Sequence, residues 1–255
     1  MKQLNYKKVL WTAGLFILAI VVIAAVRRKS GAEIVEIVAD IQPMSNGFNL
    51  IRQAEVEEIL HKGFGFTLRG VHFDELDINR IERVLEADPF IKETEAYVDG
   101  GNNLQLEIVQ REPVIRIIDA QNANYYLDSE GIRMPLSKHF TARVLVATGN
   151  IPPYSPDFLK RKKYLLKDIF DLGTKIAAND FLNPLVEQVF VNKEGEMILV
   201  PKVGNQKILI GNIENIEDKL YRLEQFYKKA LPFEGWDKYS LINLKFKNQI
   251  ICKKR

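Results

Sequence analysis

Only one cysteine, Cys252, occurs in 255 residues, so no disulfide can form within the chain, and an oxidising compartment is neither required nor excluded. Cys252 lies in an apolar run. A buried small hydrophobe is the plain reading there, with a catalytic thiol or an intermolecular bridge as the alternatives. Histidine is nearly as scarce: His61, His72 and His139. The densest grouping places His72 beside Asp74, Glu75 and Asp77, in a loop ahead of a capped helix. That is not the i, i+4 spacing of a helical metal pair, and solvated loop charges account for it. G-x-S-x-G, H-E-x-x-H, C-x-x-C and Walker sequences are all missing. Gly63-Phe64-Gly65-Phe66 has neither the preceding strand nor the Lys-Ser/Thr pair of a phosphate loop. The expectation is no catalytic residue, no metal and no cofactor.

Acid is absent from the first 29 residues, which hold six of the 36 lysines and arginines. The remainder carries 30 basic against 33 acidic residues, so the formal charge of +3 is no sign of nucleic-acid binding. Between the basic flanks lies Leu10 to Val26, LWTAGLFILAIVVIAAV, without a charge. As a helix this run covers roughly 25 Å, and Tyr6, Trp11 and the flanking cations extend its reach. It predicts a transmembrane helix over 10–26. A cleaved signal peptide and a buried helix are the rivals; Arg27, Arg28 and Lys29 argue against cleavage. Three cations on each side balance the positive-inside count, and the amino terminus tips residues 1–9 towards the cytoplasm.

Downstream, Ile34 to Ile41 reads as a strand, Ile51 to Lys62 as a helix ended by Gly63, and Asp77 as the cap of a second helix with stripe Ile78, Ile81, Val84 and Leu85. Glu93 to Val98 and Leu104 to Ile108 form a hairpin about Asp99-Gly100-Gly101-Asn102. The order strand, helix, helix, strand, strand predicts a small α+β domain over 34–112, with both helices on one face of a three-stranded sheet. Arg111-Glu112-Pro113 marks the boundary to a second domain, 113–255. Its expected strands are 114–118, 125–127, 143–147, 186–192, 197–201 and 207–210, with a helix over 158–178 and another from Asn212 or Asn215 to Leu231. The final pair is 240–246 and 249–252, joined by a tight turn at Lys247-Asn248. Lys245 and Lys247 protect this ending in part, but Gln249 to Cys252 carries no charge. It reads equally as a satisfied strand or as an open edge for a partner strand.

These features together resemble the FtsQ/DivIB cell-division proteins. The first module resembles their POTRA domain. Arg111-Glu112-Pro113-Val114 is similar to the family's acidic-x-Pro junction, and Leu127-Asp128-Ser129-Glu130-Gly131 to its Val-Asp-x-x-Gly turn. Leu209-Ile210-Gly211, followed by a helix with Lys219-Leu220, is a further match. Ile242 to Gln249 resembles the Asp-Leu-Arg-Tyr-x-x-Gly strand pair, with Asn243 in place of the acid and Asn248 or Gln249 in place of the glycine. The resemblance implies an α+β protein with one transmembrane helix, a POTRA-like β-α-α-β-β domain, and a mixed β-sheet domain with packing helices. It implies a non-enzymatic divisome scaffold in the inner membrane at the septum, with its domains periplasmic. Partners of the FtsB and FtsL type would bind along Ser240, Leu241, Lys245, Phe246, Asn248, Gln249, Ile250, Ile251 and Cys252, with Tyr227 on the preceding helix. Cofactors, nucleic acid and small-molecule substrates are not expected. A POTRA-bearing adaptor or holdase of envelope biogenesis, and a membrane-tethered hydrolase, are the alternatives.

Overall fold

The computed structural model describes residues 11, 14–21 and 32–255. The chain divides into two units, Met1–Gln110 and Arg111–Arg255.

The expected membrane span over 10–26 is not supported. Trp11 and residues 14–21 are helical, and the rest of that stretch, like residues 1–9, lies outside the described residues. A crossing needs about 20 consecutive apolar helical residues. No helix among the described residues is long and apolar enough. The membrane tether through 10–26 falls with it, and with the tether the single-pass anchoring of the chain in the inner membrane.

In the first unit, β1 (Ile37–Gln42), α1 (Gln53–Phe64), α2 (Ile78–Glu86), β2 (Ile91–Val98) and β3 (Leu104–Gln110) follow in order. The sheet order is β1-β3-β2, with β1 parallel and β2 antiparallel to the central β3. Strict alternation in β3 puts Leu104, Leu106 and Ile108 under Val56 and Leu60 of α1 and Ile81 and Leu85 of α2. Asp77 caps α2, its Oδ1 accepting the Arg80 N–H at 3.0 Å. Gly63 is not the helix stop that its residue type suggests. A Cβ there would lie 2.4 Å from Val84 Cγ1 of α2, so glycine lets the two helices approach, and α1 passes through it. The stop falls at Gly65, φ +81°.

In the second unit, β4 (Pro113–Ile118), β5 (Asn124–Asp128), β6 (Arg133–Met134) and β7 (Leu145–Gly149) precede α3 (Leu165–Ala177) and the short α4 (Leu182–Leu185). Then come β8 (Val186–Val191), β9 (Met197–Pro201), β10 (Lys207–Gly211), α5 (Ile216–Lys229), the short α6 (Leu231–Glu234), β11 (Tyr239–Asn243) and β12 (Ile251–Lys254). They form one nine-stranded sheet, β12-β11-β10-β9-β8-β7-β4-β5-β6. Parallel neighbours need long crossovers. Accordingly α3 and α4 connect β7 to β8, and α5 and α6 connect β10 to β11. The helix expected over 158–178 is split. Phe158–Lys160 is a 3-10 turn, and Arg161 and Tyr164 are extended before α3 begins. Phe158 is buried and meets Phe170 of α3 edge-on, so the chain bends to bury both rings. At the start of the unit, Arg111 Nη1 donates to the buried Asp128 at 2.8 Å, and Asp128 also accepts the N–H groups of Glu130 and Ile132.

Candidate docking edge

Helices α3 and α5 cover one face of the nine-stranded sheet. On that face a core row runs in register through Ile117, Ala147, Val189, Leu199, Ile208 and Ile242. It ends at Cys252 on β12, a half-buried side chain whose thiol is pushed up by burial. On the opposite face Phe190, Ile198, Leu209 and Asn243 form a second row, ending at Ile251, which is 46% exposed.

Strand β12 terminates the sheet order, and no strand lies beyond it among the described residues. At the other end stands β6, only two residues long. Main-chain direction in the terminal pair follows from one bond. Leu244 N–H donates to Leu209 O at 2.9 Å, so even-numbered groups of β11 face β10 and odd-numbered ones face β12. Asn243 and Leu241 pair with Ile251 and Lys253, so those two turn inward. The N–H and C=O groups of Cys252 and the N–H of Lys254 therefore point outward, while Lys254 O is taken by the Ser240 hydroxyl of β11.

The residues expected to make contacts are dispersed about this edge. Ser240 sits at a bulge in β11, its Oγ donating to Lys253 O at 3.2 Å and Lys254 O at 3.3 Å. Leu241 is half-buried opposite Lys253. Lys245 pairs with Glu196 at 2.5 Å, and Phe246 is 45% exposed in the turn. Asn248 adopts φ +60°, and Gln249 and Ile250 precede β12, so the strand starts two residues later than expected. Tyr227 requires a correction. It is 2% exposed, packed in the core against α5's own sheet, and unavailable as a surface contact.

Two residues were given no place at the edge by the reading of the sequence, although Lys219 stood there as part of a family match. Lys219, 5% exposed, places Nζ on Ile210 O at 3.0 Å, Asn212 O at 2.9 Å and Asn212 Oδ1 at 3.2 Å, while burial lowers its pKa. Its signal was visible: a charge lying within the apolar stripe Ile216, Leu220, Leu223. Arg222 Nε donates to Asp218 at 2.8 Å, and its other nitrogens reach the loop between β11 and β12. Between that loop and α5 lies a cavity of about 250 Å³ lined by both residues with Asn215, Asp218, Lys245, Lys247 and Asn248. His72 belongs to the first unit, where it lies 3.9 Å from Glu33. Among the described residues no three His, Cys, Asp or Glu side chains converge as a metal site would require.

Residues 112–253 match the family model described as FtsQ/DivIB, C-terminal related, and residues 36–109 match the POTRA-like domain. The chain belongs to the FtsQ/DivIB family. It is similar to the cell division protein FtsQ of Rhodothermus marinus, 27% identical over 160 residues, which are 59% of this chain and 55% of that protein. The match thus spans about half the length of that curated relative. The general role of FtsQ/DivIB proteins is scaffolding without catalysis.

Proposed function

We propose that this FtsQ/DivIB chain is a divisome scaffold that captures a partner polypeptide of the FtsB or FtsL type as an added strand on the outer side of β12. The observation that carries the reading is the sheet end itself. A row of core side chains stops at Cys252, and both main-chain groups of Cys252 and the N–H of Lys254 face outward with no strand beside them among the described residues. An added strand would continue both rows. Its main chain would supply register, and its apolar side chains most of the affinity. The POTRA-like domain over 34–112 and the β domain over 113–255 are the two bodies of this scaffold.

The test replaces outward donors with proline, which has no N–H. Cys252→Pro and Lys254→Pro are compared with the parent for capture of the FtsB-like protein of the same organism, with circular dichroism and thermal melting as controls for folding. Each variant is expected to lose at least tenfold in affinity and the pair to lose capture. A folded double variant that binds like the parent would end the strand-addition reading.

A further inference from the structure

We infer that Arg222 is the positioning residue of the docking edge, holding the start of β12 in place from helix α5; the inference rests on the strand-addition reading. The loop 244–250 lies outside the ladder, and its ends need fixing if β12 is to keep its register. The Arg222 guanidinium meets both ends. Nη2 donates to Leu244 O at 3.3 Å, at the exit of β11, and Nη1 donates to Gln249 O at 2.5 Å, at the approach to β12. Nε is held by Asp218, one helical turn earlier, at 2.8 Å, which fixes the plane of the fork. The side chain is only 13% exposed.

The strand that it positions is short. β12 has four residues, its ladder with β11 is interrupted by a register shift between Tyr239 and Leu241, and it has a neighbour on one side only. Such an element frays at little cost. Without Arg222 the two loop carbonyls turn to water, the remaining eight strands and their core are untouched, and the hairpin spends part of its time detached. A partner that recognises only the ordered edge then binds with its affinity reduced by the ordered fraction. The reduction falls on association, because the complex, once formed, has the same contacts.

The experiment uses the full chain. Arg222→Met keeps length and apolar bulk but removes every donor. It is expected to melt within a few degrees of the parent, to exchange the inward amides of Ile251 and Lys253 and those of their partners Leu241 and Asn243 faster while Ile242 and Leu244, turned to β10, keep their protection, and to capture the FtsB-like protein with association slowed about tenfold and dissociation changed less than twofold. Ile242→Cys supplies the rescue. Cys252 is the cross-strand partner of Ile242, at a spacing a disulfide accommodates. In the Arg222→Met background, oxidation of this variant should restore association, and reduction of the same sample should abolish the gain. An unchanged association rate, a loss confined to dissociation, or no recovery on oxidation would each overturn the positioning role. Those outcomes are separate from the proline variants, whose retained binding removes the strand-addition reading itself.

Discussion

Gln206 Nε2 donates to the Tyr227 hydroxyl at 2.8 Å, joining the approach to β10 to the last turn of α5. Both side chains are sealed from water, at 1% and 2% exposure, and Gln206 Oε1 has no partner among the described residues. Tyr227→Phe would strand the amide donor as well and is expected to cost about 1–3 kcal/mol. Adding Gln206→Leu should recover much of that, because both buried polar partners are then gone. Urea unfolding of the parent and the two variants checks the pair; a single Tyr227→Phe change within error of the parent would show that the bond carries no weight. The phenol adds a pH signature. Burial pushes Tyr227 up to about 12, so its contribution is complete below the ordinary value of 10.0 and is lost as pH rises from there through 12.

Asp99 organises the β2–β3 turn by accepting four hydrogen bonds. The Asn103 N–H at 2.9 Å leads, followed by the side chains of Gln105 and Asn103 and by the Gly101 N–H. These donors hold its carboxyl down to about 2 from 3.8. The stabilisation is therefore present above the ordinary value and lost as pH falls towards 2. A carboxyl-detected NMR titration should place Asp99 near 2, and Asp99→Ala should speed amide exchange at Gly101 and Asn103. Titration at the ordinary value would remove the turn from the list of acid-sensitive elements.

Local signals made the first unit legible. β3 alternates residue by residue, Asp77 caps the helix it precedes, and the Asp99 turn joins strands of matched pattern. Gly63 misled because composition does not reveal a helix crossing, and Val84 alone explains it. In the second unit the strands before β11 were visible as apolar runs, except the two-residue β6, which has no such run, and the bend at 161–164 depends on two rings meeting across the core. The docking edge shows the same limit. Its apolar residues were legible, whereas its starting point is set by Arg222, 27 residues away from Gln249, and by the left-handed Asn248. The uncharged run and its basic and aromatic flanks suggested a membrane span, whereas no helix among the described residues is long and apolar enough to cross.

The first unit closes one of its own sheet edges. Glu86 accepts the Thr94 N–H at 3.2 Å and Glu82 accepts the Ala96 N–H at 3.0 Å. The two acids are one helical turn apart on α2, and their targets are alternate residues of β2, so the helix spacing matches the outward donors of the strand. Glu82→Ala with Glu86→Ala should leave those donors to solvent, raise their amide exchange, and shift the protein towards concentration-dependent dimers in sedimentation. Unchanged exchange at Thr94 and Ala96 would mean that the carboxylates do not guard the edge.

The outer end of β12 carries its own selection rule. Ile251 and Cys252 are uncharged, whereas Lys253 and Lys254 follow them, exposed and in no ion pair among the described residues. Two copies of this edge brought together in either direction place cations near cations or near apolar side chains, which discourages self-pairing. A strand with apolar residues beside Ile251 and Cys252 and carboxylates beyond them satisfies both halves. Cross-strand charge pairs contribute roughly 0.2–1 kcal/mol each. Lys253→Glu with Lys254→Glu should therefore weaken capture of an acid-ended synthetic strand by about tenfold and strengthen capture of its lysine-ended counterpart. The difference should shrink at 1 M salt, where screening is short-ranged. Equal binding of both synthetic strands to parent and variant at low salt would mean that the edge is read through its main chain and apolar residues alone.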